Sequence, residues 1–137
     1  MLDVELSAMT FKQLSGIILD AAIQVHRALG PGLLEKAYEF ALMTELEHRG
    51  LRVRRQVPVS VWYRNRELPN AYFIDLLVEE RIVIELKVVD KLIDVHKAQL
   101  LTYLKCGDYR LGMLFNFAHP RLIDGYVRLA NNLDEDA

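Results

Sequence analysis

Three charged side chains stand inside the most apolar stretch of the chain, Ala71-Tyr-Phe-Ile-Asp-Leu-Leu-Val-Glu-Glu-Arg-Ile-Val-Ile-Glu-Leu-Lys-Val-Val89. They are Asp75, Glu85 and Lys87. The surrounding Val, Ile, Leu and Phe read as two strands joined by a tight turn at Glu79-Glu80-Arg81. With that turn, Val78 faces Ile82, and the pairing carries Asp75 to a position opposite Glu85, with Phe73 opposite Lys87. Directly opposed carboxylates have Cβ atoms roughly 5 Å apart and repel each other. Lys87, two residues beyond Glu85, points to the same face. One reading is a solvated strand face carrying ordinary charges; Leu77 and Val83 on that face speak against it. The other is a divalent cation bound between Asp75 and Glu85, since hard cations such as Mg²⁺ take carboxylate oxygens at ~2.0–2.1 Å and keep several waters.

The elements that must position these residues follow from periodicity and punctuation. Thr10-Phe-Lys-Gln13 has the pattern of a capping box and opens a helix reaching about Leu29, with Phe11, Leu14, Ile17, Ile18, Ala21, Val25 and Leu29 on one face. His26 beside that face reads as a hydrogen-bonded packing residue. Gly30-Pro31-Gly32 ends the helix. A second helix, from about Leu33 to Arg49, carries Glu35 in its first turn, either as a complement to the helix dipole or leaning toward the paired acids. Glu39, Glu45 and Glu47 read as exposed charges. A long strand covers Leu51 to Tyr63, with Pro58 marking an edge or a bulge. Arg52, Arg54, Arg55, Arg64 and Arg66 gather around it, as a charged edge that discourages aggregation or as a phosphate-contacting patch.

A third helix is expected from Asp94 to Cys106, with Val95, Ala98, Leu101, Thr102 and Leu104 or Lys105 on one side and His96, Gln99 and Tyr103 along another. Gln99 and Tyr103 are one turn apart, either as surface residues or as groups orienting a phosphate or a water. The apolar run from Arg110 to Phe117 reads as an interior strand reached by a crossover connection. Leu122 to Leu133 is a short strand or helix.

Composition limits the alternatives. At 137 residues with 52% hydrophobic and 26% charged side chains, the chain reads as one domain, 1–137, with a core over about 11–127 and an acidic tail at about 134–137. A net charge of −2 excludes a protein that coats nucleic acid through bulk charge, so any such contact must be local or metal-mediated. The single Cys106 excludes an internal disulfide and points to a reducing, cytoplasmic setting. Asp3 and Glu5 argue against a secretory signal. No stretch approaches the ~20 apolar residues of a membrane span.

The order helix, three strands, helix, strand, with Asp75 and Glu85-Leu86-Lys87 on adjacent strands, resembles the PD-(D/E)XK nuclease superfamily. More narrowly, Gly32-Leu-Leu-Glu35-Lys-Ala-Tyr38 resembles the naming motif of the small bacterial GxxExxY family. Ala22-Ile-Gln-Val-His-Arg-Ala-Leu-Gly-Pro-Gly32, Gln56-Val-Pro58, Ile84-Glu-Leu-Lys87 and Ala98-Gln-Leu-Leu-Thr-Tyr103 add to the likeness, which covers about Phe11 to Val127. The resemblance implies a restriction-endonuclease-like α-β-β-β-α-β core with a mixed sheet flanked by helices and an extra N-terminal helix. It implies Asp75, Glu85 and Glu35 as metal-binding acids and Lys87 as the catalytic lysine, and it aligns Gln99 and Tyr103 with the superfamily's Gln-x-x-x-Tyr element. Where the superfamily often has Pro before Asp, this chain has Ile74. The implied activity is phosphodiester hydrolysis of nucleic acid, DNA in the first place, with Mg²⁺ or Mn²⁺ as cofactor, Arg52, Arg54 and Arg55 near the substrate, and a homodimer as a way to grip a duplex. A competing expectation is a catalytically silent nuclease-fold module that binds nucleic acid or a protein.

Overall fold

The computed structural model describes residues 9–134. The expectations for Asp3, Glu5 and most of the acidic tail, Glu135 to Ala137, fall outside these residues. Helix α1 spans Phe11–Leu29 and α2 spans Glu35–His48. Strands β1 (Val53–Tyr63), β2 (Arg66–Val78) and β3 (Ile82–Lys87) follow, then α3 (Asp94–Gly107), β4 (Leu111–Asn116), a single 3₁₀ turn (Leu122–Gly125) and β5 (Tyr126–Ala130). The five strands form one sheet in the order β1-β2-β3-β4-β5, antiparallel except for the parallel β3–β4 pair that α3 connects. The segment after Leu122 is thus both a helical turn and a strand.

Local chemistry explains the boundaries. The Thr10 hydroxyl accepts the Gln13 amide at 3.1 Å, and the Gln13 side chain accepts the Thr10 amide at 2.9 Å, completing the capping box. Between α1 and α2 the chain turns at Gly30 and Gly32, both at positive φ. Tyr38 fastens this turn from inside α2. Its hydroxyl donates to the Gly30 carbonyl and accepts the Leu33 amide at 3.1 Å, while its ring stacks on Phe117 at 4.5 Å. His26 is a buried packing residue, its Nε2 lying 2.8 Å from the His119 carbonyl oxygen.

The sheet separates two apolar layers. On one side α1 and α2 bring Leu14, Ile18, Leu42 and Leu46 against Leu76, Ile84, Met113 and Phe115. On the other, α3 brings Leu100, Tyr103 and Leu104 against Leu77, Val83 and Leu114. The buried face of α3 is therefore this triplet. Val95, expected on the covered side, is 61% exposed, because the helix turns toward the sheet the side that holds Tyr103.

β1 and β2 change sides part-way. Val53, Leu76 and Val78 pack with the first layer, whereas Val57, Val59, Tyr72 and Ile74 pack with the second, despite the same strand parity. The reversal falls at the Gln56 and Asp75 positions, where Gln56 adopts φ +50°. A left-handed residue in a strand turns the following side chains to the opposite face, as a bulge does. The β1–β2 register is unchanged across Gln56, and the expected bulge lies after Pro58, between Val59 and Val61, in a strand that is also the sheet edge.

Tyr38→Phe removes the one hydroxyl that satisfies both Gly30 and Leu33. The expected cost is ~1–3 kcal/mol, measured as a lower urea midpoint with an unchanged m-value.

Candidate active site

The hairpin register is the one expected, with Leu76, Leu77 and Val78 paired to Ile84, Val83 and Ile82. The β2–β3 ladder then stops at Leu76 and Ile84, so Phe73 does not pair with Lys87; it pairs with Pro58, and Lys87 pairs with Asn116 of β4. Where the ladder ends, the acids take over the backbone donors. Glu85 Oε1 accepts the Asp75 amide at 3.1 Å, and Asp75 Oδ2 accepts the Leu86 amide at 2.9 Å. Each carboxylate is therefore tied to the opposite strand, and the sheet forks around the pair.

This face is not solvated. Glu85 is 4% exposed, and Leu77 and Val83 beside it are fully buried. Burial first, and then the charge of Asp75, pushes the Glu85 carboxyl up to about 8. Burial also raises Asp75, although its hydrogen bond from the Leu86 amide acts in the opposite sense. Glu35, at the start of α2, is an exposed residue whose carboxyl is raised by desolvation and then by Asp75. The half-buried Lys87 ammonium offsets part of this on all three acids. Tyr103 approaches from α3; burial, then the charges of Glu85 and Asp75, raise its hydroxyl to about 12. Gln99, one turn earlier, is half-buried in a groove with Tyr72 and His96, and among the described residues it makes no hydrogen bond to the carboxylates.

Two participants were not expected. Glu39, read from the sequence as exposed, is 7% exposed and stands one turn after Glu35 on α2. The Gln56 side-chain nitrogen donates to Glu39 Oε1 at 2.9 Å and to Asp75 Oδ1 at 3.3 Å, bridging helix and strand. The i,i+4 spacing of Glu35 and Glu39 was a legible signal; the left-handed backbone that presents Gln56 was not. The arginines divide. Arg55 reaches Glu39 at 3.6 Å beside the acids. Arg52 and Arg54 instead pair with Glu79 and Glu80 of the β2–β3 turn, at 3.1 and 2.7 Å.

The donor set suits a hard cation: carboxylate oxygens only, with mutual repulsion that a positive charge relieves. Among the described residues no three His, Cys, Asp or Glu side chains already form a cage.

A sequence profile described as the PD-(D/E)XK nuclease superfamily matches residues 12–129. Comparison with curated proteins gives no significant match. Among solved structures, the crystal structure of SSO0001 is similar, with a TM-score of 0.55 and 20% identity over 74% of this chain and 52% of that one. The chain thus spans about half the length of that protein, and the likeness is one of fold, restriction-endonuclease-like with an added N-terminal helix.

Between the ordinary value of 4.5 and about 8, Glu85 binds more protons folded than unfolded, so stability falls as pH rises through this window. Glu85→Gln removes that penalty. At pH 8 the metal-free variant is expected to be more stable than the wild type by on the order of 1–3 kcal/mol, with the two converging near pH 4.5. Thermal unfolding across pH in EDTA measures both.

Proposed function

Since the chain belongs to the PD-(D/E)XK nuclease superfamily, we propose that it is a metal-dependent nuclease of the small bacterial GxxExxY type, with DNA as the first substrate to test. The observation that carries this reading is the fork, where Asp75 and Glu85 hold each other's strand through amide hydrogen bonds and remain charge-frustrated. The narrower family rests on Gly32-Leu-Leu-Glu35-Lys-Ala-Tyr38, whose Glu35 borders the fork while Tyr38 secures the loop before it. We read the described residues as one domain acting in the cytoplasm, Cys106 being a free thiol.

In this proposal Asp75 and Glu85 would hold Mg²⁺ or Mn²⁺, with Glu35 assisting directly or through water; such an ion would supply a water of lowered pKa and positive charge against the phosphate. Lys87 positions the attacking water or stabilises the charge that develops on the phosphoryl oxygens. The water oxygen forms the new bond to phosphorus as the ester oxygen leaves with its electron pair, and the proton that the water gives up passes through solvent to the departing oxygen. Tyr103, whose hydroxyl stays protonated at neutral pH, is a hydrogen-bond donor to the phosphate. Gln99 lies one helical turn away and orients the same group. Gln56 and Glu39 keep Asp75 in its rotamer. Arg55 contacts the substrate beside them, whereas Arg52 and Arg54 would have to release Glu79 and Glu80 to do so. A homodimer would give the small domain a second grip on a duplex.

One observation favours the silent module instead: without a cation, burial and the charge of Asp75 hold the Glu85 carboxyl up to about 8. Calorimetry separates the readings, since a module that binds neither Mg²⁺ nor Mn²⁺ has no use for the fork. For the nuclease, Glu85→Gln and Lys87→Ala each lower Mg²⁺-dependent cleavage of plasmid or oligonucleotide DNA by at least about 100-fold, with a melting temperature no lower than wild type for Glu85→Gln. Cleavage that survives both substitutions, or that persists in EDTA, refutes the assignment.

A further inference from the structure

The acids that define the fork also repel the polyanion the site is proposed to cut. With a net charge of −2, the chain needs a separate, local grip on its substrate. The arginines do not supply it evenly. Arg49, Arg52, Arg54, Arg55, Arg110 and Arg121 all have carboxylate partners within 4 Å, as close as 2.7 Å. Arg64 and Arg66 have none among the described residues. Both lie at the tip of the β1–β2 hairpin, which extends past the end of the β2–β3 ladder as a two-stranded arm.

The same tip exposes two aromatic rings. Trp62 is 63% exposed and Tyr63 is 73% exposed, and the Arg64 guanidinium lies 5.8 Å from the Tyr63 ring centre. Large rings left in water serve neither core; as neighbours on a strand they point to opposite faces of the arm, Tyr63 beside its cross-strand partner Arg66 and Trp62 opposite Glu67, so the tip offers a base a stacking ring on each side while Arg64 and Arg66 neutralise phosphate. The backbone sets this tip apart from the sheet. Val59 pairs with Tyr72 and Val61 with Leu68, so β2 spends two more residues than β1 over this interval. The excess includes Pro69 and Asn70, the latter at φ +54°. Such a bulge bends the arm and re-aims its tip. At its other end β2 delivers Asp75 to the fork, nine residues and at most roughly 30 Å from Arg66.

We propose that the hairpin tip, Trp62, Tyr63, Arg64 and Arg66, is a binding site for a single-stranded stretch of nucleic acid that passes around it, with an open base stacked on the ring at each side. This deepens the nuclease reading and rests on it for the choice of nucleic acid. Trp62 is the only tryptophan in the chain and so reports directly on its own site. The test is a titration in EDTA, where cleavage plays no part, with single-stranded DNA of about 20 nucleotides and the matching duplex. Single strands are expected to quench the tryptophan emission saturably. Tyr63→Ala should weaken that binding about 10-fold, and Arg64→Ala with Arg66→Ala should flatten the slope of log K against log salt by about 1.4, at about 0.7 per phosphate contact. Trp62→Ala, followed by anisotropy of a labelled strand, should weaken binding to a similar degree. Because these side chains are exposed, all variants should melt with the wild type. An absence of quenching, unchanged affinity in the variants, or equal losses on duplex and single strand overturns the proposal. Quenching and variant effects without metal-dependent cleavage uphold the binding site and refute the nuclease; cleavage with unaffected variants does the reverse.

Discussion

The architecture turns on two carboxylates that repel each other, Glu85 buried and Asp75 half-buried, with the Lys87 ammonium offsetting part of their charge. Asp75 and Glu85 are tied down by amides, each from the strand of the other, at the point where β2 and β3 part. An amide hydrogen bond orients a carboxylate without cancelling its charge, so the repulsion between the two acids remains. The apolar layers on either side of the sheet hold the strands in register and thereby hold the acids together. α2 adds Glu35 and Glu39 from one side, and α3 adds Tyr103 from the other. The stability of the core is in this sense what keeps an unfavourable electrostatic arrangement in place.

Much of this was legible in the sequence, for specific reasons. The Thr10–Gln13 box, the glycine stop at Gly30, and the turn at Glu79 to Arg81 are local signals, and local hydrogen bonds realise them. The pairing arithmetic across that turn brought Asp75 and Glu85 together because a hairpin fixes its own register. The likeness to a nuclease superfamily came from residues spread over the chain, and the profile match covers nearly the same span.

What escaped was long-range or depended on unusual backbone. Alternation carried beyond Leu76 sets Lys87 opposite Phe73, but the ladder had already ended because the strands diverge around the acids. Glu39 looks like any helix glutamate until Gln56 and Arg55 from β1 close over it. The covered side of α3 was misjudged because Tyr103, with a polar head, belongs to its buried triplet, while Val95 faces solvent. The arginine cluster around β1 is one group in sequence and two in space, since the carboxylates of the β2–β3 turn engage Arg52 and Arg54.

Gln56 meets two demands that few residues satisfy together. Its main chain sits at φ +50°, where glycine and asparagine are most at ease, and its amide spans from Glu39 to Asp75. Glycine would relax the main chain and lose the bridge; asparagine would keep an amide one methylene too short. A side chain long enough to connect the two acids must therefore accept a conformation that β-carbons resist. That tension narrows what evolution can install at this position without touching the core or the charged cleft itself.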